Sequence, residues 1–384
     1  MATRRSDAMV GKDPGGRGYM PQIDGLRALA AGTVLFTHFV NASPSYLFHI
    51  NVGWHGVRLF FVLSGFLLTS ILLDDRFHAQ TSGQRLHAVR NFVIRRALRI
   101  FPLYYLVLGL AAFLNLPPVR ETYPWHLVYL SNVNLALGGA AASDTHLWSL
   151  AVEEQFYLVL PWLVLFTPRR WLFPAVIAMA MIGPVYRLAA TMAGFEYYAV
   201  TVLTPGVLDS LGMGCLLALV RDRGRGYATF ARSCGGAGLC VLGAGAVLSS
   251  LVQFPVGIVT VDAGLALVFA WIVSRSADGW GGWAGYVLGS PPLMYLGRIS
   301  YGIYLIHLFV PYALPAEIGN VLMLAAGGWA GVHPILWTIV TVLLAAASWR
   351  FYERPISRLK ERFTSVPNHP RSPQLDRTVS VEGA

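Results

Sequence analysis

Apolar runs of about 20 residues recur along the whole chain, with short polar loops between them. A run of that length crosses the hydrocarbon core of a bilayer as one helix. Backbone polar groups in that core must be bonded within the segment, so the runs imply helices. The chain is therefore expected to be all-α, a polytopic bundle of about ten membrane helices. The runs fall at 24–42, 53–73, 100–116, 147–167, 171–191, 199–220, 235–254, 258–277, 292–313 and 333–352. Composition agrees, with 12% charged residues, about half the fraction usual in soluble domains. With the spans filling the 384 residues, no large second domain is expected.

The loops give a direction. With the N-terminus inside, inward loops carry Arg76 to Arg99, Arg169 and Arg170, Arg221 to Arg232, Arg275, and Arg354 to Arg362. The outward loops carry little more than Arg120. This alternation is the positive-inside pattern and implies N-in and C-in. The net charge of +10 would suggest nucleic acid in a soluble chain. Here it belongs to topology and membrane lipids, and no nucleic-acid partner is expected. Of the 29 basic residues only Lys12 and Lys360 are lysine, which reads as a coding bias. Cys215, Cys234 and Cys240 lack zinc-type spacing, so packing is expected and no metal site. Residues 1–20 read as a flexible cytoplasmic tail and 363–384 as a disordered cytoplasmic tail. The basic start and Asn41-Ala42-Ser43 also suit a signal peptide. Arg27 and His38 sit badly in such a segment, however, and another span follows at once.

Ionisable groups inside a bilayer are costly and mark sites by default. Arg27 and His38, eleven positions apart in the first span, lie on nearly the same helix face, about 16 Å apart. Topology puts Arg27 at the inner side and His38 in the outer half. Glu153 and Glu154 fall about two turns inside the outer end of the fourth span, and His307 in the outer half of the ninth. His38, a fourth-span carboxylate and His307 therefore share a depth band. A carboxylate beside His38 would fix its tautomer and stabilise the imidazolium. The plainer reading makes His38 a helix–helix hydrogen-bonding residue and Glu153 a partner for Arg58 or Arg187. Asp209 and Asp262 are further intramembrane carboxylates.

Between Asn91 and Pro102, Val93, Ile94, Ala97 and Leu98 alternate with arginines at helical spacing. That suits an amphipathic helix on the inner leaflet, with Pro102 starting the next span. Arg95, Arg96 and Arg99 there either hold topology and anionic lipid or form a polyphosphate site. Small residues within Gly56 to Phe66 point to close helix packing. Trp148 reads as an interfacial anchor, and residues 117–146 form the longest outward loop.

Taken together, these stretches resemble the acyltransferase 3 family of integral-membrane acyltransferases. The matching residues are Ile23 to Arg27 and His38, Gly56 to Phe66, Arg96 to Pro102, Trp148 to Tyr157, Ser300 to His307, and Phe351 to Pro355. They run in family order over 21–362, the expected acyltransferase domain. The resemblance implies transfer of an acyl group from acyl-CoA, as co-substrate, to a hydroxyl of a glycan, lipid or small molecule, with no permanently bound cofactor. It carries over Arg27 and His38, Arg96 and Arg99, and Glu153 as functional residues. The expected roles are His38 as general base, Glu153 orienting it, and Arg27, Arg96 and Arg99 on the CoA phosphates. Transfer through an acyl-histidine remains the alternative. Arg58 departs from the acidic or polar residue frequent at that place. Relatives that modify surface polysaccharides often carry a hydrolase-like extracytoplasmic domain, which is not expected here. The bare architecture resembles members that acylate macrolide sugars in actinomycetes, with O-acetylation of a cell-envelope polysaccharide as the alternative. Either implies a multi-pass protein of a bacterial plasma membrane. A proton-coupled transporter built on the same His, Glu and Arg set is the reading from another class.

Overall fold

The computed structural model describes residues 19–40, 52–139, 142–251, 256–314 and 332–363, with Ile318 and Val321 besides. The tails expected at 1–20 and 363–384 lie outside these, save Tyr19, Met20 and Phe363. Among the described residues every regular element is helical. The helices are α1 (Pro21–Phe39), α2 (Val52–His78), α3 (Ser82–Phe113), α4 (Val119–Leu127), α5 (Ser131–Ala136), α6 (Trp148–Phe166), α7 (Arg169–Met192) and α8 (Tyr197–Thr201). They continue as α9 (Thr204–Arg223), α10 (Tyr227–Leu251), α11 (Val256–Asp278), α12 (Gly282–Leu288), α13 (Pro291–Arg298), α14 (Ser300–Ile306), α15 (Phe309–Ala313) and α16 (Val332–Ser348). Among the described residues eight helical stretches are long and apolar enough to cross a membrane. The 19-residue α1 and the segment holding α13, α14 and α15 stand where the other two spans were expected.

Two expected elements differ in form. The inner-leaflet helix and the following span are one continuous helix, α3, with Pro102 inside it. A capping box starts it: the Thr81 side chain accepts from Gln84 N, and Gln84 accepts from Thr81 N. Proline removes one donor and crowds the preceding turn. Here Tyr301 and Tyr352 donate from their hydroxyls to the Ile100 and Pro102 carbonyls, at 2.8 and 3.3 Å, which braces the stretch. The ninth span is broken into α13, α14 and α15.

The core forms where α2 and α9 approach closely. A Cβ on Gly65 would lie 2.1 Å from the Leu211 carbonyl oxygen, and one on Gly214 would lie 2.2 Å from that of Val62. Only glycine permits that spacing, which is the packing the small residues announced. Between α2, α7, α9 and α11 lies a buried cluster of four charges. Arg58 reaches Asp209 at 2.8 Å and also Asp262, and Arg187 reaches Asp209 at 2.6 Å. Arg58 and Arg187 therefore pair with Asp209 and Asp262, and Glu153 is partner to neither. The outward loop folds over the end of α6 through a second buried set. His126 Nε2 lies 2.8 Å from Asp144, and Thr122 donates to the same oxygen at 2.6 Å. Trp148 is packed in the core under this loop, 6% exposed, and does not sit at an interface.

Candidate functional site

A cavity of about 530 Å³ lies between α2, α3, α6 and α14. Its α2 wall runs from Val57 to Ile71, about 21 Å of helix rise. At the inner end it is lined by Arg95, Arg96, Arg99 and Lys360, with Arg27 on α1. Arg95 is occupied by Asp75 at 3.2 Å. Arg27, Arg96 and Arg99 form no ion pair or hydrogen bond with any described residue, although the Arg96 guanidinium stacks over Phe92 at 5.9 Å. Three guanidiniums thus face one cavity without a bound counter-charge.

Glu153 lines the middle of the cavity. It accepts from Ser64 Oγ at 3.0 Å and from Tyr157 Oη at 2.7 Å. The hydrogen bond expected between Glu153 and His38 is not made. The reason is the axial position of α6. A short 3-10 turn, Thr145–Leu147, leads into it, and His146 in that turn already stands beside His307. Glu153 lies seven residues further on, about 10 Å nearer the cytoplasm. That brings it level with Ser64 and away from the end of α1. Glu154 is buried but does not line the cavity.

The deep end is walled by Ser149 and Tyr304, whose hydroxyls are 2.6 Å apart. Both lie within hydrogen-bonding reach of the His146 carbonyl oxygen, at 3.2 and 3.0 Å. Behind this wall three imidazoles meet. His38 Nδ1 lies 2.9 Å from His307 Nε2. The His146 ring stands edge-on to that of His307, with centroids 4.7 Å apart. His307 is fully buried, while His38 is partly exposed and is not part of the cavity lining. Of the five residues expected to act, Arg27, Arg96, Arg99 and Glu153 share the cavity, and His38 stands beyond its far wall. His146 was missed because it precedes the apolar run of α6. The signal available was a histidine one step outside the span, in the stretch that also carries Trp148 and Ser149. Among the described residues no group of His, Cys, Asp and Glu is arranged to hold a metal ion, the histidine cluster included.

The structure is thus a polytopic helical bundle whose cation-lined cavity ends beside a cluster of three histidines. The family model Acyl_transf_3, an acyltransferase domain, matches residues 20–352. The chain belongs to that family, as a multi-pass protein of a bacterial plasma membrane. It is 28% identical over 379 residues to the peptidoglycan O-acetyltransferase OatA of Listeria monocytogenes, covering 89% of this chain and 56% of that protein. It is 29% identical over 372 residues to the putative peptidoglycan O-acetyltransferase YrhL of Bacillus subtilis, covering 88% and 55%. It is 26% identical over 396 residues to the O-acetyltransferase OatA of Staphylococcus aureus, covering 94% and 61%. The chain thus spans a little over half the length of these relatives. No solved structure matches it. These likenesses favour the cell-envelope alternative over the macrolide acylation expected from the bare architecture.

Proposed function

We propose that the protein transfers an acetyl group from an acyl-CoA, taken up at the cytoplasmic face, to a hydroxyl of a cell-envelope glycan presented at the outer face. The observation that carries this reading is the set Arg27, Arg96 and Arg99, three guanidiniums lining one cavity with no carboxylate bound to them. Guanidiniums in that state suit phosphate oxygens. Coenzyme A has phosphates at one end and its thioester on a long arm, and the α2 wall offers about 21 Å to that arm. The glycan acceptor is supported by relatives named for peptidoglycan O-acetylation. His38, partly exposed beyond the Ser149–Tyr304 wall, suits an acceptor arriving from the opposite side to the donor.

In this reading His38 takes the proton of the acceptor hydroxyl as its oxygen attacks the thioester carbonyl carbon. The tetrahedral intermediate then collapses. The carbon–sulfur bond breaks, and the departing thiolate takes the proton back from His38. Glu153 accepts from the Ser64 and Tyr157 hydroxyls on the cavity wall and holds them in place along the path of the arm. It does not orient His38. Transfer through an acetyl-His38 is the variant route, and ping-pong kinetics would mark it.

The test uses membranes containing the full chain, labelled acetyl-CoA, and muropeptide or macrolide glycoside acceptors in parallel. Label is expected in the muropeptide and is expected to fall by about 10²–10⁴-fold in His38→Ala. Full activity in His38→Ala refutes the base assignment. Label in the macrolide alone refutes the acceptor.

A further inference from the structure

The break in the ninth span has a chemical consequence. α14 stops at Ile306, and a helix end leaves its last carbonyls without N–H partners. Side chains take two of them. His307 Nδ1 lies 2.6 Å from the Tyr304 carbonyl oxygen, and His146 Nε2 lies 3.0 Å from that of Leu305.

A carbonyl oxygen only accepts, so His307 Nδ1 carries a hydrogen. In a neutral imidazole the other nitrogen then has none, and His307 Nε2 is an acceptor. Its neighbour at 2.9 Å is His38 Nδ1, which must therefore be the donor. That leaves His38 Nε2 with a lone pair and no hydrogen. The ring centroids of His38 and His307 are 4.9 Å apart, nearly the 2.9 Å nitrogen–nitrogen contact plus the two ring radii, so that contact lies close to both ring planes, as an N–H···N bond requires. The His146 ring, held by Leu305, packs edge-on against His307 and limits its rotation. Among the described residues no carboxylate is hydrogen-bonded to any of the three rings.

We propose that His307 is the positioning residue for the reaction: the carbonyl freed at Tyr304 sets its tautomer, and His307 in turn fixes which nitrogen of His38 is the base. This rests on the reading of His38 as base given above. The sequence of contacts replaces the carboxylate expected beside His38. When His38 Nε2 takes the acceptor proton, the charge is shared along an existing hydrogen bond to His307 and on to a backbone dipole. No rearrangement of the site is needed.

A merely structural role, one hydrogen bond between α1 and the end of α14, predicts lower stability with unchanged turnover. Steady-state kinetics on the purified full chain in lipid nanodiscs separate the two, with acetyl-CoA and muropeptide as substrates. His307→Gln places an amide oxygen near the Nε2 position and can still accept from His38 Nδ1. His307→Leu cannot accept, and His307→Asn is polar but too short to reach. His307→Leu is expected to lower kcat by about 100-fold or more with KM for acetyl-CoA within about twofold. His307→Gln is expected to recover kcat to within about tenfold of the unaltered protein. His307→Asn is expected to match His307→Leu, and it decides the outcome if the leucine variant does not fold. Unchanged kcat in His307→Leu or His307→Asn overturns the proposal, as does equal loss in all three. His38→Ala, assayed alongside, tells the failures apart. If His38→Ala is fully active, the base reading itself has failed. If it is inactive while His307→Leu turns over normally, only the positioning role has failed.

Discussion

Replacing Asp209 with asparagine measures what the buried charge cluster contributes to the bundle. Arg58 and Arg187 are each 0% exposed. Asp209 meets them with one oxygen each, at 2.8 and 2.6 Å, and also accepts from the Ser210 amide at 2.8 Å. Asp262 supplies the second negative charge, so the four groups sum to zero. Asp209→Asn leaves two guanidiniums against one carboxylate, an uncompensated cation away from water. Removing one member of a buried pair typically costs about 3–5 kcal/mol. The asparagine oxygen can still accept from one arginine, so the expected loss is at the low end, about 3 kcal/mol. The double variant Arg187→Met with Asp209→Leu removes one charge of each sign and keeps Arg58 with Asp262. Its loss is expected to fall short of the summed single losses by about 1–3 kcal/mol. With Arg187→Met and Asp209→Leu also made singly, unfolding by sodium dodecyl sulfate in mixed micelles, followed by tryptophan fluorescence, gives the four values. The charge-balance reasoning is refuted if Asp209→Asn costs less than about 1 kcal/mol, or if the double loss equals the sum.

Two further outcomes follow from named contacts. Arg99→Gln is expected to raise KM for acetyl-CoA by about 10–100-fold with little change in kcat, since a charge-assisted hydrogen bond contributes about 1.5–3 kcal/mol. Arg99→Lys should fall between, and a tenfold change in ionic strength should compress the difference between the variants. Gly214→Ala puts a Cβ 2.2 Å from the Val62 carbonyl oxygen, so α9 must move off α2. The expected cost is about 1–3 kcal/mol, read as a lower thermal midpoint of the purified protein, whereas Gly236→Ala on α10, with open space around it, should be neutral.

Much of this architecture is legible in the residues because it depends on one segment at a time. Length and apolarity mark the spans, and Gly65 announces a close helix contact. The spacing of Arg96 and Arg99 puts both at the inner end of one helix, and Arg27 opens another at the same level, so their meeting in one cavity was readable. His38 and His307 were placed in one depth band, and they touch. Other features were not legible. Pro102 looked like a helix start because its local cost is visible in the sequence, while the braces from Tyr301 and Tyr352 come from distant segments. The break after Ile306 had a signal hidden in an apolar run: Pro311 cannot bond the His307 carbonyl four residues earlier and crowds it. The partners of Arg58 come from two other helices, α9 and α11, and nothing in its own segment points to them.

By itself, then, the sequence determined a helical membrane bundle, its direction through the arginine alternation, and the short set of polar residues among which a site had to lie. Only the tertiary structure decided which of them are neighbours. Helical periodicity states the face a side chain occupies, but not how far one helix is shifted along its axis against the next. One turn of shift, about 5.4 Å, exchanges one partner for another. The axial position of α6 takes Glu153 to Ser64 and Tyr157, and the 3-10 turn before it brings His146 to His307. The unpaired carbonyl at the end of α14 then gives His38 its imidazole partner in place of a carboxylate.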